Sequence, residues 1–422
     1  MNEAFLHFIW KFQKFTSELE TTSGEQVSIY YQGTHNHDAG PDFSEARLKI
    51  GDLEWNGQVE IHLKSSDWHH HNHTDDPAYN TVVLHVVWAD DRVILREDES
   101  TIPTVELKNC VDLELVSNYT KYLAQPSDIL CHAHLSSVND LTWISNLDRM
   151  LAHRLENKSK RILDFAKATN YDWEETAYRV LGRNFGFSLN SEAFQQLVEN
   201  LPLKFISKHS SNLMQIEALV FGIGGFLEDP VDSYQEALKE EFDFLRQKYN
   251  LNDNLHRTHW KFGKMRPSNF PTVRMAQFSV ILFAHQKLFS LFNQVAHVNE
   301  LKKELAIKPS AYWQEHYDFG KKIKKGSNSL GASSFENLTI NSVAPLIAAY
   351  SVYTDQPILM EKTIGLLEEL PPEKNRYTNK WAALDRPAKS AFDSQAQITL
   401  YQDYCSKKNC LNCGIGNWIF ST

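Results

Sequence analysis

The sequence predicts an N-terminal domain of α+β or α/β type followed by a large all-α region, and three observations carry that expectation. Short alternating or β-branched runs, each bounded by Gly, Asp or Pro, recur through the first 125 residues. From about Pro126 onward the apolar residues instead recur every three or four positions. Eight of the eighteen histidines crowd between His35 and His85, so the chemistry-bearing side chains belong to the strand-rich part. A chain of 422 residues exceeds what one core ordinarily serves, and we place two domains at 1–125 and 126–422.

The elements follow in order. MNEAFLHFIWKFQKF places Phe5, Leu6, Ile9 and Phe12 at helical spacing and lacks the basic start and small-residue cleavage site of a signal peptide, so it reads as an amphipathic helix. Strands are expected at Gln26–Gln32, Phe43–Ile50, Gly57–Lys64, Thr81–Trp88 and Thr104–Lys108. Ile50-Gly-Asp-Leu53 is a turn signal that pairs the second and third of these as a hairpin. Ser65 or Ser66 can cap a short helix in the connection to the fourth. Helices are expected at 141–165, 172–181, 191–201, 213–226, 233–249, 273–295, 299–306, 342–351 and 357–370, with a basic, Gly/Ser-rich loop at Lys321–Ser334.

Composition narrows the function classes. With 42% hydrophobic and 23% charged residues the chain is of soluble globular type, and no apolar run approaches the ~20 residues of a membrane span. Five cysteines, three of them in the last eighteen residues, make a poor disulfide framework. A cytoplasmic, non-membrane protein is expected. Residues 1–125 hold 9 basic against 21 acidic residues, while the remainder holds 34 and 32. Such an acidic domain repels nucleic acid unless cations neutralise it or a neighbouring basic face holds the strand.

Within the hairpin, Asp42 begins one strand, and Glu60 and His62 lie two apart on the next, hence on one face. Two converging carboxylates suit Mg²⁺ or Mn²⁺, which can activate a water for attack on a phosphoryl group. Lys64 shares that face and can supply positive charge. Pro41-Asp42 and Glu60-Ile61-His62, with the order helix, three strands, helix, strand, resemble the restriction-endonuclease-like PD-(D/E)xK nuclease superfamily. That resemblance implies metal binding by Asp42 and Glu60 and assistance to the nucleophile by His62, which stands where the superfamily has Lys. Either His62 takes the role of that lysine, Lys64 substitutes for it, or the fold persists without activity. The run His35-Asn-His37-Asp38 is similar to metallo-hydrolases of the β-lactamase type and leaves open a mixed His/carboxylate site for Zn²⁺ or Mn²⁺. His85, inside an apolar strand, reads as a core or strand-face histidine, and His69, His70 and His71 cannot all face one site.

Cys405-x4-Cys410-x2-Cys413 suits Zn²⁺ or an iron–sulfur cluster, with Cys131, His132, His134 or Cys110 as the fourth ligand. Lys261, Lys264, Arg266 and Arg274 interleave with Trp260, Phe262 and Phe270, as on surfaces that hold single strands. HNHDAGPDF, GQVEIHLKSSDWHHH, LHVVW, RNFGF, MRPSNFPTVRMAQF and CLNCGIGN together resemble, nearly end to end, a bacterial family catalogued as a domain of unknown function. The expectation is a divalent-metal-dependent nuclease or phosphodiesterase acting on DNA or RNA, with a partner surface on the helical region. The alternatives are a non-enzymatic helical interaction protein with a degenerate nuclease-like domain, or a zinc-dependent hydrolase built on the histidines.

Overall fold

A computed structural model describes residues 2–36, 39–252, 255–324 and 328–421. A sheet-bearing region is followed by a large helical one. Packing divides the chain into two compact units, Met1–Asn146 with Tyr401–Thr422, and Leu147–Leu400. The sequence marks the change of period near 126, whereas packing carries the first unit on to Asn146 and adds the last stretch of the chain to it.

The first unit opens with helix α1 (Glu3–Lys11), capped by the Asn2 side chain, which accepts the Phe5 N–H. Glu3 in its first turn and Lys11 in its last complement the helix dipole. Strands β1 (Leu19–Glu20), β2 (Gln26–Tyr31), β3 (Thr34–His35), β4 (Phe43–Ile50), β5 (Leu53–Lys64), β6 (Val82–Ala89) and β7 (Thr104–Glu106) form one sheet in the order β1-β2-β4-β5-β6-β7, with β3 also paired to β4. β4 and β5 form the expected hairpin, Ile50 opposite Leu53, turning through Gly51 at φ +58°. Glycine takes that left-handed conformation without a Cβ clash. β5 starts at Leu53 rather than Gly57, because so tight a turn leads straight into the ladder.

β6 runs parallel to β5, and β7 parallel to β6. The parallel step needs a crossover, supplied by helix α2 (Asp67–His70) and two short 3₁₀ turns, His73–Asp75 and Pro77–Tyr79. Helix α3 (Leu113–Leu123) closes the unit's apolar core, a helix that the sequence reading missed. Val59, Ile61, Leu84 and Val86 join Phe5, Leu6 and Ile9 of α1 in that core. Side chains alternate along a strand, so Glu60 and His62 take the opposite face, where Glu60 pairs across the ladder with His85. All four residues from Val59 to His62 are buried, the mark of a strand covered on both faces.

Among the described residues the second unit is helical apart from the ribbon His316–Asp318/Lys321–Lys322. The helix expected over 273–295 is two, Pro271–Ala284 and Leu288–Gln294. The Gln286 side chain donates to the carbonyls of Leu282 and Phe283, ending the first, and the Glu174 carboxylate accepts the N–H groups of Phe289 and Ser290, starting the second. That cap comes from more than a hundred residues away, so local periodicity does not reveal it. Arg376–Ala382, Ala391–Thr399 and Ala332–Leu338 are further helices that the sequence reading left out. Among the described residues no helix is long and apolar enough to cross a membrane.

Candidate metal centre

Asp42 and Glu60 meet at the open end of the hairpin. Gly33 and Gly40, at φ +93° and +107°, turn the chain on either side of β3 so that Pro41-Asp42 enters β4 opposite Glu60. The two carboxylates are tied reciprocally to backbone. Asp42 N–H donates to Glu60 Oε2 at 3.1 Å, and Ile61 N–H donates to Asp42 Oδ2 at 3.0 Å. Both acids therefore share one environment. His7, from α1, places Nε2 3.2 Å from Asp42 Oδ2, and His35 stacks on Phe43 beside the His7 ring.

The other oxygen, Glu60 Oε1, lies among imidazoles, 3.4 Å from His62 Nε2 and 3.3 Å from His73 Nε2. His62 Nε2 is also 3.1 Å from His71 Nδ1. One ligand atom from each of His62, His71 and His73 lies within 4.8 Å of the others. His62 and His73 are buried and His71 is exposed, so the cluster opens to solvent on the His71 side. Asn72, between them at φ +59°, swings the chain so that His71 and His73 converge while His69 and His70 face outward.

Electrostatics fit this arrangement. Burial raises the Glu60 carboxyl above its ordinary value, the hydrogen bond from His73 opposes that, and the Asp42 charge adds to it. Burial, then the neighbouring imidazoles, pushes His62 down to about 2. Burial likewise pushes His85 down to about 3. His62 is thus neutral at physiological pH and offers lone pairs. Its Nδ1 lies 2.9 Å from His85 Nε2, inside the sheet. A neutral imidazole has one N–H, so donation from Nδ1 to His85 leaves Nε2 bare toward Glu60, His71 and His73. His85 is the orienting partner, and Tyr79 stacks on His73 at 3.7 Å.

Other predicted residues lie elsewhere. Lys64 is exposed at the end of β5, where its N–H binds Asp67 and its charge acts on Asp91. His37 and Asp38 lie outside the described residues. Lys261, Lys264 and Arg266 are exposed, but Arg274 is 5% exposed and donates to Gln277, Asn269 and Ser334. Trp260 is buried with its indole N–H on the Gly224 carbonyl, so neither it nor Arg274 is a surface contact for a strand. Cys131, Cys410 and Cys413 are buried and Cys405 is half-buried. His132 and His134 are exposed, and Cys110 donates to the Glu106 carbonyl.

The sequence reading missed His7, His71 and His73 as members of this cluster. The signal for His73 was the Asn between two histidines; none marks His7, whose helix reads as purely amphipathic.

A mixed sheet with a hairpin-borne carboxylate pair and an imidazole cluster over a parallel crossover defines a class of protein with a candidate metal centre. Over residues 3–376 the chain matches the family described as Protein of unknown function (DUF2851), and it belongs to that family. No curated protein matches it, and no solved structure does.

Proposed function

We propose that the sheet-bearing unit is a divalent-metal-dependent phosphodiesterase whose substrate is nucleic acid. The observation that carries this reading is the convergence of Glu60 with His62, His71 and His73, beside Asp42. Carboxylate and imidazole together suit Mn²⁺ or Zn²⁺ better than Mg²⁺, which prefers oxygen ligands. When bound there, the ion supplies Lewis acidity toward a phosphoryl oxygen and an activated water. Glu60, His62, His71 and His73 hold it, Asp42 flanks it, and the Asp42–Ile61 and Glu60–Asp42 backbone bonds fix the two carboxylates. His85 orients His62. The order of hairpin, helical crossover and parallel strand, with Asp42 before one strand and Glu60-x-His62 within the next, supports the nuclease reading. His62 is held neutral in the position where that superfamily carries a lysine, which makes it a ligand rather than a source of charge.

The three clustered imidazoles favour a second reading, a zinc-dependent hydrolase of another substrate. Labelled single- and double-stranded DNA and RNA, incubated with Mg²⁺, Mn²⁺ or Zn²⁺, test the first. Cleavage by the wild type that drops at least ~100-fold in Asp42→Ala and Glu60→Ala is expected, more than the loss typical of a group that only orients a ligand. Equal activity in all three proteins, or none in any, sinks it. Tight zinc without cleavage of any nucleic acid moves the assignment to the second.

A further inference from the structure

Apart from the histidine centre, the first unit gathers four cysteines from two distant stretches. Cys131 sits in the turn Leu130–His134, Cys405 ends the helical stretch Leu400–Cys405, and Cys410 and Cys413 bracket the turn Cys410–Asn412. Helix Gly414–Ser421 packs on both the Leu130–His134 and Cys410–Asn412 turns and so brings them together. The approach is tight, since a Cβ on Gly416 would lie 2.0 Å from the Cys410 carbonyl oxygen, and Cys413 Sγ stands 3.8 Å from Asn146 Oδ1. Three of the thiols are over nine-tenths buried or at that limit, with Cys131 8%, Cys410 9% and Cys413 6% exposed. All four are free of disulfides.

We propose that Cys131, Cys405, Cys410 and Cys413 are the ligands of an iron–sulfur cluster. Cys131 is the fourth ligand that the C-x4-C-x2-C spacing requires, because its neighbours His132 and His134 point to solvent and Cys110 is engaged with the Glu106 carbonyl.

Cys131, Cys405, Cys410 and Cys413 lie near enough to act on one another electrostatically. The C-x4-C-x2-C spacing with a distant fourth cysteine is that of plant-type iron–sulfur proteins, which favours a cluster over a single zinc ion. The buried Tyr122 hydroxyl lies beside Cys131 and Cys410, where a phenol O–H can donate to a thiolate or sulfide.

The test is metal and sulfide analysis of the full chain purified without oxygen, in the wild type and in Glu60→Ala, which removes the separate histidine centre from the count. Iron and acid-labile sulfide in equal amounts, a broad visible absorption bleached by dithionite, and full retention of both in Glu60→Ala are expected. Cys131→Ala and Cys405→Ala should lose nearly all the iron and Cys110→Ala none. Stoichiometric zinc in Glu60→Ala that disappears in Cys131→Ala overturns the proposal, as does wild-type protein without iron or sulfide. Because a cysteine variant can fail to fold, the iron and sulfide contents of the wild type decide the matter by themselves. Failure of this test leaves the histidine centre untouched, and failure of nuclease activity leaves the iron count untouched.

Discussion

Three carboxylates of the helical unit, Glu174, Glu175 and Glu369, end on backbone N–H groups, whereas Glu60 of the sheet-bearing unit gives one oxygen to backbone and leaves the other among imidazoles. Glu174 accepts from Phe289 and Ser290, Glu175 from Leu203 and Glu369 from Val298, each at the first turn of a helix far away in sequence. Those acids satisfy orphan helix donors and hold connections in place. Glu60 Oε1 faces the ring nitrogens of His62 and His73, and the His62 and His71 nitrogens also crowd each other. Charge that closes a hydrogen-bonding requirement is structural. Charge left facing other ligating atoms marks a candidate site for an ion. Lys158 marks the same contrast from the other sign: half-buried and pushed down to about 7 by desolvation, it is met by the Ile340 carbonyl, Asn341 and Gln395.

The largest expected effect belongs to the helical core. Phe221 stacks on Trp313 at 4.8 Å with Phe319 edge-on. Phe221→Ala should cost about 3–5 kcal/mol by chemical denaturation. A much smaller loss means that the rings are not the core of that unit. Next comes Glu217, buried and bound by the Tyr234 and Ser310 hydroxyls, whose carboxyl burial pushes up from 4.5 to about 7. The folded state then holds its proton more tightly than the unfolded state. Its stabilising share is complete below pH 4.5 and is lost as pH rises to about 7, a change of ~3 kcal/mol. Melting temperatures of wild type against Glu217→Gln should diverge across that window and run parallel above it.

Glu174→Ala should cost about 1.5–3 kcal/mol, because the acid's charged hydrogen bonds start a helix. If it costs nothing, the capping half of the contrast fails. The smallest effect belongs to His85→Leu. By freeing His62 Nδ1, it should weaken Mn²⁺ or Zn²⁺ binding about 10–100-fold in calorimetric titration. Unchanged affinity would mean that His85 is the strand-face histidine it first resembled.

Much of the centre was legible where the strand period alone decides geometry. Asp42, Glu60 and His62 follow from a hairpin and alternation, because neighbouring strands place partners at fixed distances. His71 and His73 come from a crossover loop, whose path depends on Asn72 adopting a left-handed conformation that no periodicity encodes. His7 was hidden for a different reason, since on an amphipathic helix a polar residue beside the apolar stripe reads as solvated. Most long helices were legible from their stripes; the break at His285 was not, because Gln286 and the distant Glu174 impose it. The basic cluster at 261–274 misled in part, since sequence neighbours diverge once a helix buries Arg274 and leaves Lys264 outside.

Tyr401–Thr422 belong to the unit that begins the chain, with the whole of Leu147–Leu400 between them. As the ribosome delivers the nascent polypeptide, the strands and histidines emerge well before the segment bearing Cys405, Cys410 and Cys413, which follows the whole of Leu147–Leu400. The helical unit can close on itself in the interval. The opening unit remains unfinished until Tyr401–Thr422 have emerged, so the cysteine set is assembled only on a chain whose intervening part already exists.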